Sequence, residues 1–202
     1  MLQLESAMKI GVLALQGAFI EHISVVQQLG AEVTPVRLPG QLKGLDALII
    51  PGGESTTILK LMQSSHLLQP VRDLAQAGLP ILGTCAGMVC LAKKVSNYDI
   101  ETLAVMDLVI RRNAFGRQVD SFETKLIIPV LGDKPFPAVF IRAPLVEIAD
   151  AQVQVIASLP GGAVVAARQG KLLVTSFHPE LTSDIRLHSY FLRIVASADS
   201  PK

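Results

Sequence analysis

Along the first half of the chain, short uninterrupted apolar runs alternate with stretches whose apolar residues recur at helical spacing. Residues 9–15 (KIGVLAL) predict a strand, Gln16-Gly17 a turn, and residues 20–29 a helix with Ile23, Val26 and Leu29 on one face. Residues 32–38 and 45–50 predict the second and third strands, the latter ending at Pro51-Gly52-Gly53. Ser55 or Thr56 is placed to cap a helix through Ile58, Leu59 and Met62. A further helix covers about residues 68–77, with Pro70 tolerated in its first turn, and residues 79–82 (LPIL) predict a fourth strand. Gly83-Thr84-Cys85-Ala86-Gly87 follows at once and leads into a helix ending at Lys94. Continuous apolar strands alternating with helices imply a parallel sheet covered on both faces.

The second half changes texture. Residues 105–110, 121–130, 138–142, 153–157, 163–167 and 172–177 predict strands joined by short turns, with Gly161-Gly162 and Gln169-Gly170 as hairpin signals. Residues 182–198 predict a closing amphipathic helix with Ile185, Leu187, Phe191, Leu192 and Val195 inward. No repeat or linker interrupts the pattern. The expectation is one α/β domain over residues 1–202: three layers, a mostly parallel central sheet with helices on both faces, and antiparallel strands in the second half.

Composition narrows the partners. The 202 residues carry 18 Lys and Arg against 17 Asp and Glu, a formal net charge of +1. That balance argues against nucleic acid or an anionic membrane, both of which call for a basic excess. With 50% hydrophobic and 17% charged residues the chain has ample core material, and two cysteines cannot form a disulfide scaffold. Leu74 to Ala92 is 19 residues without a charge, long enough to span a membrane. It contains Gly78, Pro80, Gly83 and Gly87, however, and reads as helix end, buried strand and tight turn. The first seven residues lack the pattern of a secretory signal and read as a leader or a misassigned start, so the expected location is cytoplasmic.

The strongest chemical signal is Gly83-x-Cys85-x-Gly87 between an apolar strand and a helix. A nucleophile on a sharp strand-to-helix turn needs small neighbours, and the turn lifts its side chain to the carboxyl edge of the sheet. The following helix N-terminus favours thiolate over thiol. A buried structural cysteine in a Gly-rich turn gives the same pattern. Cys90 reads as apolar helix filling, and the Cys85/Cys90 pair lacks metal or redox spacing. The second signal is Phe177-His178-Pro179-Glu180 at a strand end, a motif that taken alone also fits a plain strand end capped by proline. In an extended segment His178 and Glu180 share a face, and a carboxylate beside an imidazole fixes its tautomer. Cys85, His178 and Glu180 together make a nucleophile, a base and an orienter. The third is Pro51-Gly52-Gly53-Glu54-Ser55, a loop suited to supplying the Gly53 N–H to an oxyanion, with the Ala86 N–H as second donor; a plain turn and helix cap is the alternative. His22, His66 and His188 read as surface or packing residues. Arg111-Arg112-Asn113 and Phe115-Gly116-Arg117-Gln118 gather cations and amides around a glycine turn; solvated charge is the usual reading of such a cluster, yet a substrate carboxylate would want such an Arg.

Jointly these stations resemble the class I, or triad, glutamine amidotransferases, and most closely the family of glutaminase subunits of pyridoxal 5'-phosphate synthase. The resemblance rests on GVLALQG from Gly11, PGGES from Pro51, GTCAGM from Gly83, RNAFGRQVDSFE from Arg112, FIRAP from Phe140 and SFHPEL from Ser176. It implies a flavodoxin-like fold and a triad of Cys85, His178 and Glu180. It also implies glutamine-binding stations at Gly52, Gly53, Glu54, Ser55, Arg112, Ile141 and Arg142. The implied activity is hydrolysis of L-glutamine without a cofactor, with ammonia passed to a separate synthase subunit. Ala18 departs from the family, which commonly has an acidic residue there, and this puts an interface contact in doubt. A glutaminase subunit serving another synthase, or a catalytically idle binding protein on the same fold, remains an alternative.

Overall fold

The computed structural model describes residues 7–114 and 121–197. The expected leader (save Ala7), the Phe115–Gln118 turn and the end of the last helix at Ala198 lie outside the described residues. In chain order the elements are β1 (Lys9–Leu13), α1 (Phe19–Gln28), β2 (Glu32–Val36), β3 (Ala47–Ile50), α2 (Ser55–Ser64), α3 (Leu68–Gln76), β4 (Ile81–Thr84) and α4 (Ala86–Leu91). Then come β5 (Ala92–Val95), β6 (Met106–Arg111), β7 (Ser121–Leu126), β8 (Phe136–Ile141), β9 (Leu145–Ala149), β10 (Gln154–Ser158), β11 (Val164–Gln169), β12 (Leu172–Thr175) and α5 (Arg186–Ala196).

A ten-stranded sheet runs in the order β2-β1-β3-β4-β12-β11-β9-β6-β5, with β10 on β11, and β7 and β8 form a separate antiparallel pair. From β2 to β12 the strands are parallel. The next pairings, β12 with β11, β11 with β9 and β9 with β6, are antiparallel. Alternate residues of β3 show why both faces are covered. Leu48 and Ile50 enter one core with Ile58, Met62 and Val71 from α2 and α3, while Ala47 and Ile49 enter the other with Leu187 and Phe191 from α5. No helix among the described residues is long and apolar enough to cross a membrane.

Several boundaries differ from the sequence expectation. The helix after Cys85 stops at Leu91 instead of Lys94, because Ala92 turns extended and residues 92–95 pair with β6. Only Ala92 and Val95 of that strand are buried, so its pattern is too short to read. β9 was not expected at all: it buries only Val146 and exposes Glu147 and Ile148. The strand expected over residues 121–130 ends at Leu126, and Pro129 opens a 3-10 turn. The closing helix starts at Arg186, not residue 182, and Ile185 is its half-buried cap rather than core. Asp184 accepts from the Arg186 backbone N–H at 3.1 Å and fixes this start.

Candidate active site

The sheet order explains how residues far apart in sequence meet. β12 lies parallel beside β4 with Thr175 opposite Thr84, and the Cys85 N–H donates to the Thr175 carbonyl at 2.7 Å. Both strands therefore deliver their next residues, Cys85 and Ser176 to His178, to the same carboxyl edge. Cys85 carries φ +47° and ψ −101°, a strained conformation for an L residue. The elbow also needs its glycine at 87, where a Cβ would stand 2.1 Å from the Ile50 carbonyl oxygen.

His178 is anchored by its N–H to the Val139 carbonyl at 2.8 Å, and its Nδ1 lies 2.7 Å from Glu180 Oε1. The backbone between them differs from the expected extended segment. Pro179–Leu181 is a 3-10 turn, which Pro179 suits by its fixed φ, and the turn brings the carboxylate onto the imidazole. Cys85 Sγ lies 3.7 Å from the Ile141 carbonyl, within reach as a thiol donor, and shares the cavity lining with His178. Burial pulls the His178 imidazole down, but hydrogen bonds to Cys85 and Glu180, and their charge, outweigh it and raise it to about 10. Cys90 is different: burial, then Glu54, push its thiol up to about 12, as befits a packing residue.

A cavity of about 490 Å³ opens in front of this group. Gly53, Glu54, Ser55, Cys85, Ala86, Arg112, Ile141, Arg142 and His178 all line it, while Gly52 and Glu180 stand behind His178. Arg112 Nη2 meets Glu54 Oε1 at 2.7 Å at the mouth. Asn97 holds the Arg112 backbone at both N–H and carbonyl, each at 3.0 Å, and the Tyr98 ring lies 4.9 Å from the guanidinium. Glu54, rather than Ser55 or Thr56, caps α2: its carboxylate accepts from the Thr56 and Thr57 N–H groups at 3.3 and 2.7 Å. Partial burial raises the Glu54 carboxyl, but the Thr56 and Thr57 hydrogen bonds win and bring it down to about 2. Arg111 points elsewhere, 3.8 Å from Glu147.

Sequence reasoning assigned no role to Gln16, Val89, Ser121 and Pro144, which also line the cavity, and Asn113 of the candidate Arg-Asn cluster lines it too. Gln16 sat in a Gln-Gly pair read only as a turn, yet its Oε1 accepts from the Glu54 N–H at 2.8 Å and braces the glycine loop. His66 is a surface residue, as expected. His22 and His188 are buried, as packing residues are, and His22 Nε2 lies 3.4 Å from Glu180 Oε2. Among the described residues no cluster of His, Cys, Asp or Glu is arranged to hold a metal ion.

A cysteine on a strained strand-to-helix turn beside a His–Glu pair, on a doubly covered sheet, agrees with the class: residues 12–197 match the SNO glutamine amidotransferase family, and the chain belongs to it. Among its relatives, "Pyridoxal 5'-phosphate synthase subunit PdxT" of Dehalococcoides mccartyi is 58% identical over 189 residues, covering 93% of this chain and 97% of the relative. The protein of the same name from Herpetosiphon aurantiacus is 58% identical over 188 residues, covering 92% and 99%. A solved structure described as a glutamine amidotransferase superposes with a TM-score of 0.87 at 48% identity, covering 93% of this chain and 98% of that one.

Proposed function

We propose that this chain hydrolyses L-glutamine to glutamate and ammonia, and that it is the glutaminase subunit of pyridoxal 5'-phosphate synthase, delivering the ammonia to a separate synthase subunit. The observation that carries the chemistry is the convergence of the strained Cys85 with the 2.7 Å His178–Glu180 pair on one cavity. The names and high identity of the relatives support the particular synthase.

The steps follow from the groups present. The Cys85 thiolate, paired with the His178 imidazolium, attacks the side-chain amide carbon of glutamine. The oxyanion that develops is met by the backbone N–H groups of Ala86 and Gly53. As the C–N bond breaks, His178 gives its proton to the departing nitrogen, which leaves as ammonia, and a γ-glutamyl thioester remains on Cys85. His178, now neutral, takes a proton from water as it attacks the thioester. Collapse releases glutamate and returns the thiolate–imidazolium pair. Glu180 orients His178 throughout. At the far end Arg112 and Arg142 suit the substrate's α-carboxylate and Glu54 its α-ammonium, with Ser55 and the Ile141 backbone beside them. No step calls for a metal or cofactor.

The deciding experiment measures glutamate release by the purified chain with and without its cognate synthase, alongside iodoacetamide labelling of Cys85. Glutamine-dependent glutamate release, and protection of Cys85 by a glutamine analogue, are expected. Absence of both in the presence of synthase overturns the reading.

A further inference from the structure

Behind the triad runs a second buried polar chain. His22 of α1 places Nδ1 2.9 Å from His188 Nε2 of α5, and Nε2 3.1 Å from Thr84 Oγ1 and 3.4 Å from Glu180 Oε2. Thr84 Oγ1 also accepts from the Gly52 N–H at 3.0 Å. Glu180 spends Oε1 on His178; its Oε2, and His188 Nδ1, are buried without a hydrogen bond among the described residues.

Burial, then the neighbouring His188 and His178, hold His22 well below the usual histidine range, and burial lowers His188 to about 4. Both rings are therefore neutral near pH 7, with one N–H each. The surroundings decide where those protons sit. If His22 carried its proton on Nδ1, its Nε2 lone pair would face the Glu180 carboxylate. His188 would then have to accept at Nε2 and bury an N–H at Nδ1 with no acceptor. With the proton on Nε2, His22 accepts from the His188 Nε2–H and offers its own N–H between Thr84 Oγ1 and Glu180 Oε2. A lone pair on His188 and the Thr84 hydroxyl proton are then left over, but Glu180 Oε2 faces a donor instead of a second lone pair. A carboxylate oxygen in a dry site needs such a donor, because burial without one is costly.

We infer that His22 is a positioning residue for the glutaminase: as the Nε2–H tautomer set by His188, it holds the second carboxylate oxygen of Glu180 and the Thr84 hydroxyl. Through Glu180 it fixes the aim of His178 at Cys85, and through Thr84 it ties that aim to the Gly52 backbone. The inference rests on the triad reading given above. A histidine pair that only filled space would be indifferent to which nitrogen bears the proton, and this gives the test.

His22→Gln puts an amide nitrogen near the imidazole Nε2, whereas His22→Asn reaches only to Nδ1. Glutamate release is measured for both variants, for Glu180→Gln and for His22→Asn/Glu180→Gln, each saturated with synthase, with thermal unfolding alongside. His22→Asn should lose about 10- to 100-fold in kcat, as loss of an outer partner of an active-site ligand does. Its KM should stay within about two-fold, since no substrate contact is removed. His22→Gln should keep kcat within about three-fold of wild type, and the double variant should fall little below the worse single one, because both act through one carboxylate. Equal kcat in the Asn and Gln variants, losses that follow only the unfolding temperature, or losses that multiply with Glu180→Gln overturn the inference. If Glu180→Gln itself turns over like wild type, the triad reading fails and takes the inference with it.

Discussion

Gly52 stands so close to His178 that a side chain cannot be placed between them: a Cβ on Gly52 would lie 2.2 Å from His178 Cε1 and 2.7 Å from Nδ1. The imidazole has nowhere to retreat, because Nδ1 is bonded to Glu180 and the backbone N–H to Val139. Gly52→Ala should therefore push His178 off its aim at Cys85 while the sheet folds around it. We expect a kcat loss of about 100-fold or more, in line with the cost of small misplacements at reacting centres. The accompanying destabilisation should be about 1–3 kcal/mol, typical of overpacking. Turnover within a few-fold of wild type in a folded variant contradicts the arrangement.

Replacing the proposed triad members should give a graded series. Cys85→Ser removes the activated nucleophile and should cost about three orders of magnitude or more in kcat. Glu180→Gln keeps a partner for His178 Nδ1 and should hurt less than His178→Asn, which removes the proton carrier itself. Steady-state glutamate release ranks the variants. Wild-type turnover in His178→Asn sinks the triad.

Two groups should leave opposite signatures in the pH dependence of stability. Hydrogen bonds and charge from Cys85 and Glu180, set against burial, raise folded His178 from 6.5 to about 10, so the native state holds more protons in that window. Its contribution is complete below about pH 6.5 and is lost as the pH rises towards 10. Glu54 is lowered from 4.5 to about 2, so its contribution is present above pH 4.5 and lost as the pH falls towards 2. Urea unfolding of wild type against His178→Asn should show their difference shrink between pH 7 and 10. The difference between wild type and Glu54→Gln should instead shrink below pH 4.5, from about 1 kcal/mol, the usual worth of a helix cap. The reverse trend in either pair refutes the assigned cause.

What the sequence disclosed and what it hid divide along physical lines. Cys85 was legible because the elbow demands small residues on both sides, and Gly87 leaves no room for a Cβ against Ile50. β3 and β4 were legible because strands buried on both faces must be continuously apolar. β9 and β5 were not, since strands that bury only Val146, or only Ala92 and Val95, leave no period to count. The meeting of His178 and Glu180 was anticipated, but through an extended chain, whereas Pro179 builds a 3-10 turn. The buried polar contacts of His22, read from the sequence only as a surface or packing residue, were not legible. Its partners Thr84, Glu180 and His188 lie far along the chain, and only the insertion of β12 beside β4 assembles them.

Under the proposed reading Arg112 binds substrate and takes no part in the chemistry. Asn97 pins its backbone at both N–H and carbonyl and Glu54 meets its guanidinium at 2.7 Å, so the cation is held in place in the cavity lining. A contact to the substrate's α-carboxylate persists in ground and transition states alike. Arg112→Ala should accordingly raise KM by about 10-fold or more, the scale of a lost charged hydrogen bond, with kcat changed far less. A pure fall in kcat at constant KM would assign Arg112 to closing the site or to the partner interface instead.

The free chain should be a poor glutaminase that its synthase switches on. The proposed oxyanion donor, the Gly53 N–H, belongs to the Gly52–Gly53 peptide, and rotating that peptide exchanges its N–H with the Gly52 carbonyl. Glycine on both sides makes the rotation cheap. In this structure the Gly52 carbonyl accepts from the Ala18 N–H at 3.0 Å, so the turn at residues 16–18 decides which way the peptide faces. Gly17 is needed for that contact: it holds φ +99°, and a Cβ there would lie 1.9 Å from the Gly52 oxygen. The same turn leads into α1, where Ile20 is 66% exposed. Ile20 is thus an apolar side chain offered to a partner beside the oxyanion loop. A synthase docked there would act on the Ala18–Gly52 bond and select the peptide orientation that turnover requires. One oxyanion donor is worth about 100- to 1,000-fold in kcat, so saturating synthase should raise glutamate release by that order. Ala18→Pro deletes the N–H that holds the Gly52 carbonyl and should change the activity of the free chain more than that of the complex. Full activity of the lone chain, unchanged by saturating synthase, would rule out this control, since ammonia would then be released whether or not an acceptor stood ready.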